Sequence, residues 1–339
     1  MSNRNRRRAS SVQTAHVQPL EERRLMSFTP IGREGLLPIN GGFQAYDVAV
    51  AGDGSSWVAY VSSVRSPSLG RNVNVLSVQK YDMLGRPAGG PTVLTRYAQK
   101  NAAVAIDANT SGEVAIAYVE RRGAFETLIV RRIDTIGLGE AEDAGLRVFE
   151  KAATDNASLS ALGGVAVSIN EAGGYFVAHR GTDSNDLQVE YLSGANDNQP
   201  DVIAALDDAA TPSYDNLGQF DIDARPDGSG AVFVAATDDE LTYGTLSTTA
   251  RTGTNRRVPT PGDLAEPSVA ITANGGFVIA YAANVLADNF GGKNVQARRF
   301  DANGVAVGDV IGLQLGVPRS ADSPFEAGGP RVAATADGG

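Results

Sequence analysis

Two aspartates, Asp221 and Asp223, stand one residue apart in the stretch Phe220-Asp221-Ile222-Asp223-Ala224. On a strand, side chains alternate between faces, so both carboxylates would point the same way. Beside an enclosed channel such a pair is a candidate for holding a cation or a sugar. On an open sheet it is simply a solvated face. Further hard oxygen ligands of the calcium type occur in Asp183-Ser184-Asn185-Asp186 and in Asn196-Asp197-Asn198. Asp183, Asp186 and Asp197 lack the D-x-[DN]-x-[DN]-G-x5-E spacing, and ordinary Asx turns account for them better. No cofactor is expected; Asp183, Asp186, Asp197, Asp221 and Asp223 are weak candidate ligands for calcium. Other chemistry is scarce. The chain has no cysteine, so a disulfide framework, a thiolate nucleophile and a thiolate metal site are excluded. Its two histidines are His16 and His179, which leaves little imidazole for acid–base work. No G-x-S-x-G, H-E-x-x-H, Walker or G-x-G-x-x-G element stands in a fitting context, and no catalytic residue is assigned.

The elements that would position these residues repeat along the chain. One pattern recurs: apolar–polar alternation, a turn of Gly, Asn or Asp, then an apolar run ending in an aromatic residue or Ala. Its copies are Asp47–Tyr60, Ala103–Tyr118, Gly164–His179, Phe220–Ala236 and Ser268–Tyr281, and a sixth begins at Arg331. The anchors Val48, Val104, Val165, Phe220, Val269 and Val332 are 49 to 63 residues apart. Alternation and Asp-Gly, Asn-Gly or Gly-Gly pairs predict a hairpin in each copy. A third strand is predicted at 72–81, 127–133, 187–192, 241–246 and 294–300. A weaker fourth is predicted at 91–95, 146–149, 201–206, 257–259 and 309–313. Four antiparallel strands in a unit of this length make a propeller blade, and one blade cannot bury both its faces alone.

The fold class expected is thus all-β, a β-propeller with about five complete repeats and a partial sixth. The repeats span about 44–95, 101–150, 162–206, 218–260, 265–315 and 329–339. The segment 32–40 reads as the closing part of a unit, and Gly35–Asn40 is expected to complete the sixth. The copy that starts at Arg331 stops at Gly339, before its second strand, so the chain is expected to be a piece of a longer protein. His179 ends its hairpin where other copies have Tyr60, Tyr118 and Tyr281, and the four read as one buried layer with polar tips. Trp57 reads as core.

Charge separates the two ends. Residues 1–33 carry seven Arg and two Glu, whereas the whole 339-residue chain has a formal net charge of −10. An acidic body repels phosphate backbones, so nucleic acid is not an expected partner. The longest apolar runs are about seven residues, against the roughly 20 of a membrane-spanning helix, so no transmembrane segment is expected. The basic stretch 1–29 lacks the apolar core of a secretory signal and, on composition, reads as a disordered tail.

Two resemblances add to this. The run Pro19-Leu20-Glu21-Glu22-Arg23-Arg24-Leu25-Met26-Ser27 resembles the Leu-Glu-x-Arg-x-Leu-Met-Ser sorting element of exported planctomycete repeat proteins, carried on Leu20, Glu21, Arg23, Leu25, Met26 and Ser27. That resemblance implies export to the cell envelope or beyond. The body resembles a propeller-like repeat of large bacterial secreted proteins, most closely at 267–270, 275–281 and 299–308. Repeats three and four lack the Arg-Phe-Asp-x-x-Gly tail of that unit, and the calcium-binding nonapeptides that often accompany it are missing, so its calcium chemistry is not carried over. The expected function is a non-enzymatic scaffold or binding and adhesion module with a protein or polysaccharide ligand. The alternative is a propeller enzyme, of glycosidase or lyase type, acting on polysaccharide through channel carboxylates.

Overall fold

The structure is a computed structural model, and it describes residues 42–98, 104–122, 125–133, 146–152, 164–180, 187–193, 201–205, 219–236, 241–249, 253–258, 264–284, 293–313 and 330–333. The basic N-terminal stretch, the segment Gly35–Asn40, the loops of Asp183, Asp186 and Asp197 and the residues after 333 lie outside these. Among the described residues there is no helix.

Twenty strands form five antiparallel sheets of four. The first holds β1 (Gly42–Val50), β2 (Ser56–Ser66), β3 (Arg71–Tyr81) and β4 (Thr92–Thr95). The second holds β5 (Val104–Ala108), β6 (Val114–Arg122), β7 (Phe125–Ile133) and β8 (Leu146–Ala152). The third holds β9 (Val165–Ile169), β10 (Tyr175–Arg180), β11 (Leu187–Leu192) and β12 (Asp201–Ala205). The fourth holds β13 (Gln219–Ala224), β14 (Gly230–Ala236), β15 (Leu241–Ser247) and β16 (Gly253–Val258). The fifth holds β17 (Leu264–Ile271), β18 (Phe277–Asn284), β19 (Lys293–Phe300) and β20 (Ala306–Leu313). Each sheet pairs its strands in chain order, as successive hairpins dictate. The first strands β1, β5, β9, β13 and β17 lie side by side in that order. Sheets that share an axis through their first strands are the blades of a β-propeller.

Two fourth strands begin earlier than the apolar pattern predicts. β16 starts at Gly253, where it pairs with Leu246, and β20 at Ala306, where it pairs with Phe300. An outer strand is held by backbone hydrogen bonds along its whole length, so its hydrophobic part marks only a portion of it.

The first hairpin is built the same way in four blades, and the fourth blade's turn is one residue longer, with the Arg225 N–H donating to Gly230 O. In the second blade the Asn109 N–H donates to Glu113 O at 3.0 Å and the Gly112 N–H to Asn109 O at 3.1 Å. The glycine of each turn sits in the left-handed region, with φ of 80° at Gly54, 86° at Gly112, 79° at Gly173, 73° at Gly228 and 80° at Gly275. Only a residue without Cβ takes that conformation freely, which is why each copy of the repeat carries a glycine there.

The core lies between blades rather than inside any one. Trp57, Ala59, Val61, Leu76 and Val78 of the first blade pack on Ile106, Ile116 and Tyr118 of the second. The second packs on the third through Leu128, Val130, Val167 and Val177. Phe176 and Val189 meet Ile222 and Phe233 between the third and fourth, and Val232, Val234 and Tyr243 meet Ile271, Phe277 and Tyr281 between the fourth and fifth. Aromatic rings stack at the last interface, Phe277 on Phe300 with centroids 4.8 Å apart.

Polar clasps reinforce the same interfaces. The Arg225 guanidinium, at the fourth blade's first turn, donates to Gly275 O at 3.0 Å and to Ala302 O at 3.3 Å on the fifth. Arg225→Ala is expected to cost about 1 kcal/mol and lower the melting temperature by a few degrees, read by a thermal melt. An unchanged melt would show that these bonds carry no net stability.

Candidate functional site

Counting back five residues from each turn glycine finds Ala49, Asp107, Ser168, Asp223 and Ala270, one per blade. Two residues earlier stand Asp47, Ala105, Ala166, Asp221 and Ser268. Side chains at these positions point to the same face of each inner strand and so form two layers around the axis. Every polar member reaches the next blade. Asp47 Oδ2 accepts the Ile106 N–H at 3.0 Å. Asp107 Oδ2 accepts the Ile169 N–H at 2.9 Å and the Ser168 hydroxyl at 2.7 Å. Ser168 Oγ accepts the Ala224 N–H at 2.9 Å. Asp221 Oδ2 accepts the Val269 N–H and the Ser268 hydroxyl, both at 3.0 Å. Asp223 Oδ2 accepts the Ile271 N–H at 2.6 Å.

One physical need accounts for the pattern. Inner strands of neighbouring blades diverge and make no continuous ladder, so their backbone N–H groups require other acceptors. Short Asp and Ser side chains from the preceding blade supply them. Asp221 and Asp223, singled out from the sequence, face the axis and are both engaged with β17 rather than lying on a solvated strand face. Asp47, Asp107 and Ser168 join them there. Their signal was available in the repeat: each occupies the same place before the turn as Asp221 or Asp223.

The inner layer contains a linked pair. Ser168 Oγ stands 2.7 Å from Asp107 Oδ2 and 3.1 Å from Asp223 Oδ1. A hydroxyl has one proton and cannot donate to both carboxylates at once. Both contacts are satisfied when Ser168 donates to Asp107 and a protonated Asp223 donates to Ser168. The electrostatics run the same way. Burial is the main cause that pushes Asp107 up to about 6. Burial, with the nearby Asp107 charge adding to it, pushes Asp223 up to about 7. Asp47 and Asp221 are also raised by burial, against the pull of the Arg331 guanidinium.

A cavity of about 260 Å³ opens at the turn end of the inner strands, bordered by Asp107, Asn109, Thr110, Glu171, Asp223 and Pro226. Its rim is itself cross-linked. Asn109 Nδ2 donates to Asn170 O at 3.1 Å, and the Thr110 hydroxyl donates to the Glu171 carboxylate. The cavity can admit water or a small polar ligand beside the Asp107–Ser168–Asp223 chain.

The other residues drawn from the sequence have structural surroundings. His179 is fully buried and meets Glu190 through Nε2 and Oε1 at 3.1 Å. Tyr60, Tyr118 and Tyr281 are buried as well, and the Tyr281 hydroxyl donates to Gln296 Oε1 at 3.0 Å. Trp57 is 2% exposed, with the Lys80 ammonium 5.0 Å from its ring centroid. Glu190 is a buried acid that sequence reading did not find; it lies on the diagonal from His179 across β10 and β11. Among the described residues no three His, Cys, Asp or Glu side chains group as metal ligands do, and no helix is long and apolar enough to cross a membrane.

No protein-family model and no curated protein matches the chain. Solved structures similar to it include the α-L-arabinofuranosidase Arb93A from Fusarium graminearum, at 10% identity and a TM-score of 0.45, over 80% of this chain and 93% of that one. The Dos1 propeller is similar at 12% identity and a TM-score of 0.38, over 81% and 73% of the two chains. TolB from Acinetobacter baumannii is similar at 16% identity and a TM-score of 0.40, over 76% of this chain and 52% of its own length.

Proposed function

We propose that this chain is a non-enzymatic propeller module of five complete blades and a partial sixth, exported to the cell envelope, where its loops bind a protein or polysaccharide ligand. The observation that carries the reading is the use of the channel carboxylates. Asp47, Asp107, Asp221 and Asp223 each accept a backbone N–H of the next blade. Groups so engaged hold the ring together, and a base that must swing toward a substrate would break the interface it maintains. The Arg-rich leader, with its Leu-Glu-x-Arg-x-Leu-Met-Ser resemblance, supports the address. Ligand capture then falls to the loops between strands, where binding residues of rigid β scaffolds concentrate.

A second reading has an observation of its own. A carboxyl raised to about 7 beside one raised to about 6, at the floor of a cavity, is the arrangement of a general acid and its partner in glycoside hydrolysis. A screen of the purified chain on a panel of soluble and insoluble polysaccharides separates the two. Retention on a polysaccharide or on envelope material, without new reducing ends, is the expected result. Release of reducing ends that disappears in Asp223→Asn would overturn the binding-module reading and establish the enzyme.

A further inference from the structure

We infer that residues 331–333 are the inner strand of a further blade, and that the open face of β1 is the seat of that blade's remaining strands. The inference rests on the propeller arrangement and is independent of what the module binds.

The first observation is a hydrogen bond that obeys the rule of the channel. In each interface a layer residue accepts the N–H of the residue that follows the same layer in the next blade. Ser268, of the outer layer in the fifth blade, accepts the N–H of Val332 at 3.3 Å. By that rule Arg331 occupies the layer position and Val332 the place of Ile106 or Val269. The sequence agrees, since Thr335-Ala336-Asp337-Gly338-Gly339 repeats Thr272-Ala273-Asn274-Gly275-Gly276 at the matching distance.

The second observation is a contact on the other side. Arg331, adjacent to Val332, has its Nη2 3.7 Å from Asp47 Oδ1 on β1. The segment thus meets the fifth blade through Val332 and the first through the Arg331 side chain.

The third observation is the surface left beside it. The residue after the inner layer packs on the preceding blade: Ile169, Ala224 and Ile271 are buried, 6%, 6% and 7% exposed, and Ala108 is half-buried. On β1 the same position is Val50, 65% exposed. Two residues earlier, Ile106, Val167, Ile222 and Val269 are 4% to 6% exposed, against 48% at Val48. Apolar side chains in register with rows covered in the other four blades fit one occupant, the apolar face of a sixth four-stranded unit of the same repeat.

The test extends the chain after Gly339 with a second copy of its own residues Phe277–Leu313, which follow the same Gly-Gly pair in the fifth blade. The chain has no cysteine, so Val48→Cys supplies a single thiol reporter. In the 339-residue chain this thiol is expected to react freely with a maleimide. In the extended chain it is expected to react at least about tenfold more slowly, with a higher melting temperature and a monomeric mass by light scattering. Equal reactivity in an extended chain whose added strands are folded would overturn the proposal. So would a thiol in the 339-residue chain that becomes protected as concentration rises, which would assign the face to a second copy. Two variants of the 339-residue chain test the strand placement without any added segment. Val332→Pro removes the N–H given to Ser268, and Arg331→Glu reverses the charge facing Asp47. Each is expected to lower the melting temperature by several degrees, and two unchanged melts would overturn the assignment of 331–333.

Discussion

Asp223→Asn is expected to stabilise the protein at pH 8 by on the order of 2 kcal/mol, and Asp107→Asn is expected to fall short of it by roughly 1–3 kcal/mol. The two carboxylates share one serine, yet their partners differ. Asp223 accepts one N–H, from Ile271, and faces Ser168 through its other oxygen. An asparagine keeps the first bond through Oδ1 and donates to Ser168 through Nδ2, so it reproduces the protonated acid. Asp107 accepts Ser168 and Ile169 on one oxygen and the Ala108 N–H at 2.8 Å on the other. An amide there turns a donor toward a donor, whichever way it is placed.

The same groups set the pH dependence. Asp107 and Asp223 have folded values raised to about 6 and about 7 from an ordinary 3.8. The folded chain therefore holds protons that the unfolded chain has released. The stabilisation is fully present below about 4 and is lost as pH rises through about 6 and then about 7. Asp47 and Asp221, raised by burial, act in the same direction, and Arg331 is the cation that faces them. Asp53, Asp82 and Asp227 are lowered by local hydrogen bonds and oppose this only at more acid pH. Denaturant melts from pH 5 to pH 8 are expected to show falling stability in the native chain and a much shallower fall in Asp223→Asn. A native profile that rises over this range would mean that both acids are ionised throughout and that Ser168 does not share a proton with them.

Gly230→Ala is expected to be the most damaging of the single-methyl changes, at about 3 kcal/mol. A Cβ built at Gly230 overlaps the Leu246 carbonyl oxygen and stands 3.0 Å from its carbonyl carbon. Both are backbone atoms of the paired strand β15 and cannot rotate away. Relief requires β14 and β15 to separate where Ala231, Val232 and Phe233, all fully buried, enter two interfaces. Gly312→Ala on β20 is the control. Nothing lies within 4 Å of its Cβ, and the change is expected to stay within about 0.5 kcal/mol. Urea melts of the two variants decide it, and similar midpoints would show that the fourth blade yields locally.

The hairpins were fully legible in the residues. A turn such as Asn274-Gly275 between alternating apolar runs needs only local rules: period-2 patterning and a residue that accepts positive φ. Third strands such as Leu187–Leu192 were legible for the same reason. The outer strands β16 and β20 were legible only in part, because backbone pairing extends them past their apolar residues. Asp221 and Asp223 could be placed on one face of a strand, but nothing near them in sequence specifies a role. Their donors are the N–H groups of Val269 and Ile271, each 48 residues away, and only the packing of one blade on the next brings these within 3.0 Å. Asp107 and Ser168, paired across 61 residues, are the same case. His179 needed Glu190 from the neighbouring strand to satisfy its buried ring. The sequence by itself determined the repeat, the strands and their turns, since these depend on contacts within one hairpin. The tertiary structure alone decided that the acids of the channel bind the backbone of the next blade, because a carboxylate's chemistry is set by what surrounds it in space.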